Sequence, residues 1–314
     1  MNIIIHGSIA YDRIMNFPGY FKEHILPDKI HSLNVSFQIN KLSEMRGGTG
    51  GNIAYNMVLL EETPMLLSCV GSDGETYLHS LKELGVRVDA VEKYDDIYTA
   101  VCHIITDRGN NQITAFSMGA AARPVHFDFS TVDPKDALVI FAPANNKIDS
   151  LQFIAECKKY GIRYIFDPGQ TITDYNGKEL KECIHGAYIF IANDYELQLT
   201  MQKTGLTEPH ILERTEILIT TLGEKGSVIK NHKEVIDVPA FLQHHLIDPT
   251  GAGDAYRAGL VKGLTAGLPL QQCGYLAACA ASYAIEHIGT QSHTYTIKEF
   301  RERYKYHLHT ICPI

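Results

Sequence analysis

At 314 residues the chain can bury a large core in one or two domains, and 45% hydrophobic with 20% charged residues excludes long disorder and a disulfide scaffold. The formal net charge is −8 and no block of Lys or Arg occurs, which argues against a nucleic-acid partner or an anionic membrane surface. A small polyanion can still be held locally by backbone N–H groups.

In chain order, periodicity predicts a strand over 3–5, a helix over 52–60, a strand over 64–70, a helix over 75–84, a strand over 137–142 and a helix over 149–160. Strands over 162–166 and 188–192, a helix over 194–203, a strand over 216–221 and a helix over 251–266 follow. This alternation predicts an α/β fold with a mostly parallel sheet and helices on both faces, and it places ligands at the carboxyl ends of the strands. Two stretches break the rhythm. Residues 13–45 mix aromatic and polar side chains, and residues 98–116 read as two strands around a turn at 107–111. They form either a small β-sheet set apart from the core or a plain surface hairpin. The seven cysteines show no CxxC pair, and the 15 histidines, His244 and His245 included, show no ligand spacing. Buried reduced thiols, a cytoplasmic protein and no structural metal are therefore expected. No apolar run reaches about 18 residues, so no membrane span is expected, and residues 1–6 lack the length and basic flank of a signal peptide.

The most specific string is Asp248-Pro249-Thr250-Gly251-Ala252-Gly253-Asp254-Ala255, a polar turn entering a helix. Gly251 and Gly253 let a ligand approach the backbone, and the helix start offers unpaired N–H groups and partial positive charge to an anion. These parts suit phosphoryl transfer, which needs positioning and charge neutralisation. Asp254 would accept the proton of an attacking hydroxyl as the oxygen–phosphorus bond forms. A second string, Arg46-Gly47-Gly48-Thr49-Gly50-Gly51-Asn52, permits tight approach to a small polar ligand, and Asn52 offers a donor and an acceptor to a sugar diol. It matches neither a Walker A loop nor a dinucleotide fingerprint.

Asn193-Asp194-Tyr195-Glu196 follows a strand. Glu196 either holds the water shell of Mg²⁺ or completes an ordinary helix cap with Asn193. Thr221-Leu222-Gly223-Glu224-Lys225-Gly226 either borders a nucleotide or turns a hairpin. Asp12, after the first strand, either binds two adjacent hydroxyls or caps a turn.

Together these strings resemble the ribokinase-like, or PfkB, family of sugar kinases over essentially the whole chain. Within it the chain is most similar to bacterial adenosine kinases, through residues 7–12, 15–20, Leu26-Pro27, Ser36-Phe37, 46–52, Asp167-Pro168-Gly169-Gln170, 193–196 and 248–254. The resemblance implies a three-layer α/β/α core over 1–12, 46–97 and 120–314, with a β-sheet lid over 13–45 and 98–119. It implies ATP-dependent phosphorylation of the 5′-hydroxyl of adenosine, with Asp254 as base and Gly251, Ala252 and Gly253 as the anion hole. Around the acceptor it places Ser8, Asp12, Ser36, Gly47, Gly48, Asn52, Phe116 and Gln170, with help from Phe37. Around ATP it places Asn193, Thr221, Gly223, Gly226, Thr250, Gly251 and Gly253, with the loop 239–246 beside the adenine. Mg²⁺ is implied at Glu196 through water, and K⁺ is the candidate monovalent cation at Asp248 beside residues 284–291. A homodimer through the lid is also implied. Other readings are a broad-specificity nucleoside kinase, a ribose or fructose-type kinase, a non-catalytic nucleoside-binding regulator and a dinucleotide-dependent oxidoreductase. Relatives with two glutamines after the Asp-Pro have Gln170-Thr171 as the counterpart here.

Overall fold

The structure is a computed structural model and describes residues 1–25, 32, 34–109, 111–143, 146–241 and 246–314. Leu26, Pro27, Asn110, His244, His245 and the middle of the loop expected beside the adenine lie outside the described residues. In chain order the strands are β1 (Asn2–His6), β2 (Ala10–Asn16), β3 (Lys41–Gly47), β4 (Met65–Gly71), β5 (Val91–Tyr94), β6 (Ala100–Thr106) and β7 (Gln112–Ser117). They continue with β8 (Ala137–Phe141), β9 (Arg163–Phe166), β10 (Ile189–Asn193), β11 (Ile217–Thr221), β12 (Ser227–Asn231) and β13 (Val235–Val238). The α-helices are α1 (Thr49–Leu59), α2 (Glu75–Leu84), α3 (Lys147–Tyr160), α4 (Gly177–Ile184), α5 (Asp194–Thr204), α6 (Glu208–Leu212), α7 (Ala252–Thr265), α8 (Leu270–Ala284) and α9 (Ile297–Leu308).

Nine strands form the large sheet, in the order β13-β12-β11-β10-β9-β8-β1-β4-β5. From β5 to β11 every pair is parallel, and β12 and β13 add an antiparallel edge. Parallel strands buried on both faces read as continuous apolar runs, and alternate residues serve opposite layers. Ile3, Ile5, Leu138, Ile140 and Ile219 pack with Ile53 and Met57 of α1, Leu260 of α7 and Leu276 of α8. Ile4, Val139, Phe141, Phe190 and Leu218 pack on the other face with Phe153 of α3 and Leu180 of α4. The result is the expected ribokinase-like three-layer arrangement. All seven cysteines are free thiols. No helix among the described residues is long and apolar enough to cross a membrane.

The second sheet has the order β3-β2-β6-β7. β2 pairs antiparallel with β3 and parallel with β6, and β6 pairs antiparallel with β7. Its register aligns Met45, Asp12, Cys102 and Phe116 in one cross-strand row. The boundaries expected at 12/13 and 45/46 fall inside this sheet, because β2 begins at Ala10 and β3 runs to Gly47. Asp12 therefore belongs to the small sheet rather than to the end of the first core strand.

Candidate active site

A cleft of about 700 Å³ opens between the two sheets. Its floor is the carboxyl edge of the large sheet: Ser8 follows β1, Pro143 follows β8, Asp167 follows β9, Asn193 ends β10 and Thr221 ends β11. Asp12, Cys102 and Phe116 line it from the small sheet. Two helix starts complete it, Gly48, Thr49 and Asn52 at α1 and Gly251, Gly253 and Asp254 at α7.

The α1 turn is compressed against β1 and β2. Gly48 has φ +84, and a Cβ there would come within 2.6 Å of the Ala10 nitrogen and the Ser8 carbonyl, so no side chain fits. This contact aims Asn52 across the cleft at α7. Its Nδ2 donates to Asp254 Oδ2 at 2.8 Å. Its Oδ1 accepts from Gln291 Nε2 at 2.9 Å and lies 2.8 Å from the Thr290 hydroxyl, which fixes the amide orientation. Gln291 also donates to Tyr77, whose hydroxyl donates to the Gly47 carbonyl at 2.8 Å. A chain of hydrogen bonds thus runs from α2 to the Asp254 carboxylate.

Burial raises the Asp254 carboxyl to about 7, against the attraction of Arg257 and the Asn52 hydrogen bond, with Asp167 and Asp12 repelling its charge. Burial, then repulsion from Asp248, raises Asp12 to about 6. Asp254 so placed can orient a hydroxyl and accept its proton near neutral pH. Arg257, one turn into α7, grips buried Asp167 through Nε and through Nη2, the latter at 2.8 Å.

Asn193 and Glu196 form the ordinary cap foreseen as the plain alternative: Glu196 N donates to Asn193 Oδ1 and Asn193 N donates to Glu196 Oε2, each at 2.8 Å. Both also line the cleft. Burial raises the Glu196 carboxyl, the Asn193 N–H opposes the rise, and Asp167 adds to it. The Thr221–Gly226 stretch is a hairpin turn into antiparallel β12, closed by Leu222 N donating to the Gly226 carbonyl at 2.8 Å. Thr221 and Gly223 face the cleft and Gly226 does not. Gly226 packs against the Val238 carbonyl, where a Cβ would lie only 2.0 Å away.

Ser8, Asp12, Gly48, Asn52, Phe116, Gln170, Asn193, Glu196, Thr221, Gly223, Thr250, Gly251, Gly253 and Asp254 all line this one cleft. Other expected positions fall outside it. Ser36 is exposed on the segment before β3. Phe37 packs into an aromatic cluster with Phe17 and Phe21, ring centroids 4.9 and 5.1 Å apart. Gly47 is buried behind the Asp12 carboxylate. The Ala252 N–H is turned to the Pro249 carbonyl at 3.2 Å. Asp248 accepts from the N–H groups of Thr250 at 2.9 Å and Gly289 at 3.1 Å. Burial would raise its carboxyl, but those hydrogen bonds outweigh burial and hold it low. Sequence reasoning assigned no role to Cys102, Arg257 or Tyr77, and it placed Thr290 and Gln291 only in the segment beside the cation, not against Asn52. A usable signal existed for Arg257, which stands four residues after Gly253 on the same helix face.

A parallel α/β sheet, a carboxylate at a helix start beside glycine amides, and a roof of β-strands define an ATP-dependent phosphotransferase. The chain belongs to the pfkB family carbohydrate kinases, whose model matches residues 9–297. It is 32% identical over 306 residues to a nucleoside kinase of Methanocaldococcus jannaschii, covering 96% of each chain. The solved structure of Burkholderia thailandensis nucleoside kinase in complex with inosine is similar at 36% identity, with TM-score 0.84, covering 98% of this chain and 99% of that one. The crystal structure of the Methanocaldococcus jannaschii nucleoside kinase gives a TM-score of 0.86 at 31% identity, covering 98% and 99%.

Proposed function

We propose that the chain transfers the γ-phosphoryl group of ATP to the 5′-hydroxyl of a purine ribonucleoside, adenosine among them. The observation that carries this reading is the row Asp12–Cys102–Phe116, which sets an aromatic face beside a carboxylate above Asp254. A carboxylate serves a ribose diol, and an exposed phenyl face serves a flat base. The nucleoside kinases reported above support the same acceptor class.

In this reaction the acceptor oxygen bonds to phosphorus, the bond from phosphorus to the β–γ bridging oxygen breaks, ADP leaves and the acceptor proton passes to Asp254. The N–H groups of Gly251 and Gly253, at the start of α7, stabilise the charge on the transferred group. Glu196 fits Mg²⁺ held through water: Oε2 is engaged by the cap, while the carboxyl group faces the cleft and is repelled by Asp167. Mg²⁺ would supply neutralisation of phosphate charge there. Asp248, held ionised by its two N–H partners, is the carboxylate we assign to a monovalent cation.

A panel of adenosine, inosine, guanosine, cytidine, ribose and fructose, read by ADP release, tests the acceptor class. Faster turnover of ribose or fructose than of any nucleoside removes it. Comparable rates across the purine nucleosides favour a broad-specificity kinase, which the relative bound to inosine supports. We also propose a homodimer through the small sheet, where Leu42 is 60% exposed and Ile113 40%. A single-chain mass by light scattering removes that proposal.

A further inference from the structure

We infer that Arg257 is a second contact for the transferred phosphoryl group, delivered to the anion hole from within the same helix. The inference rests on the phosphoryl transfer assigned to this cleft. In a helix the Cα–Cβ bonds tilt toward the N-terminus, so a long side chain covers the residue four positions earlier. Arg257 accordingly lies over Gly253: a Cβ built on Gly253 would come 2.7 Å from Arg257 Nη1. The missing side chain at Gly253 makes the space that this nitrogen occupies.

Arg257 is 8% exposed. Nε and Nη2 are committed to Asp167, and Nη1 has no hydrogen-bond partner among the described residues. Arg257 nevertheless contributes to the cleft wall. Its placement is also electrostatically costly, because the start of a helix already carries partial positive charge and disfavours a cation. Asp167 offsets that cost in the free protein. The transferred phosphoryl group, its negative charge spread over three oxygens, meets both the amides and the unused N–H donors of Nη1 as it enters between Gly251 and Gly253. Asp167 then serves as a positioning residue that keeps the planar fork edge-on to the cleft.

The test compares the wild type with the double variant Asp167→Asn/Arg257→Met, which removes the pair without stranding a buried charge. Loss of a preorganised donor of this kind predicts a kcat lower by about 100-fold or more, with the nucleoside KM and the ADP Kd each within about threefold. ADP with aluminium fluoride, a mimic of the transferred group, should lose its tighter binding over ADP alone. A folded double variant with kcat within about threefold of wild type overturns the inference. If circular dichroism shows the double variant unfolded, Arg257→Lys decides. A compact ammonium drawn to Asp167 lacks the planar fork that sets Nη1 over Gly253, so kcat must fall at constant KM, and an unchanged kcat overturns the inference equally. The kinase reading is judged separately by Asp254→Asn: turnover surviving that change sinks the base, whereas a dead Asp254→Asn beside a fully active Arg257 variant sinks this inference alone.

Discussion

Replacing Asp254 with Asn should remove turnover and at the same time make the protein harder to unfold. The carboxyl is raised from 3.8 to about 7, chiefly by burial, so its charged form is disfavoured in the folded state. At 1.36 kcal/mol per pH unit the ionised side chain costs the fold about 4 kcal/mol. The sign follows from proton counts. Between about pH 4 and 7 the folded protein holds this proton and the unfolded chain does not, so wild-type stability falls as pH rises through that window. An amide has the shape of the neutral acid and keeps an oxygen to accept from Asn52, so the variant escapes the loss. Unfolding entropy near 2.1 cal/mol/K per residue makes 1 kcal/mol worth about 1.5 °C for a chain of this length, so the Tm gain at pH 8 approaches about 6 °C. The gain should shrink as pH falls and vanish below about pH 4. Calorimetry at pH 8, 6 and 4 measures it, beside ADP release, where kcat should drop about 10²–10⁴-fold. A variant less stable than wild type at pH 8 would refute the claim that the fold holds Asp254 under electrostatic strain.

The same carboxylate must be ionised to take a proton, so kcat/KM should rise with pH through about 7 and level off above it; a profile flat down to pH 5.5 rules this out. Gln291→Leu cuts the chain that fixes Asn52, and we expect kcat to fall about tenfold with the KM for ATP unchanged. Wild-type kcat in that variant would show that the Asn52 amide needs no such support. Phe116→Ala should raise the KM for nucleosides about tenfold, equivalent to losing about 1.4 kcal/mol of stacking, and leave ribose turnover untouched. Equal losses for both acceptors would place Phe116 in the packing of the small sheet instead.

The parallel core was legible because strands buried on both faces cannot alternate polar with apolar residues, and runs such as Ile3–Ile5 have no other economical reading. Helix α8 escaped notice because Cys273, Leu276, Ala277 and Ala280 are buried among apolar neighbours, so no stripe marks a face. Helices α4 and α9 carried signals that went unread, the capping boxes Asn176/Glu179 and Thr296/Glu299. The small sheet was anticipated, but its parallel pairing of β2 with β6 joins residues some 90 positions apart, which local periodicity cannot reveal. The cleft followed the same division. Its glycine strings and Asp254 are local patterns. The Arg257–Asp167 pair spans 90 residues and the Asn52–Asp254 bond spans 202, so both depend on tertiary contact.

That last span has a consequence for how the protein is made. A ribosome adds roughly 5–20 residues per second, so Asn52 leaves the exit tunnel about 10–40 s ahead of the carboxylate it must meet. Strands β2, β6 and β7, which carry Asp12, Cys102 and Phe116, are all synthesised long before α7. On the function proposed above, the chain therefore emerges with its proposed acceptor contacts, Asp12 and Phe116, well before its proposed base, Asp254.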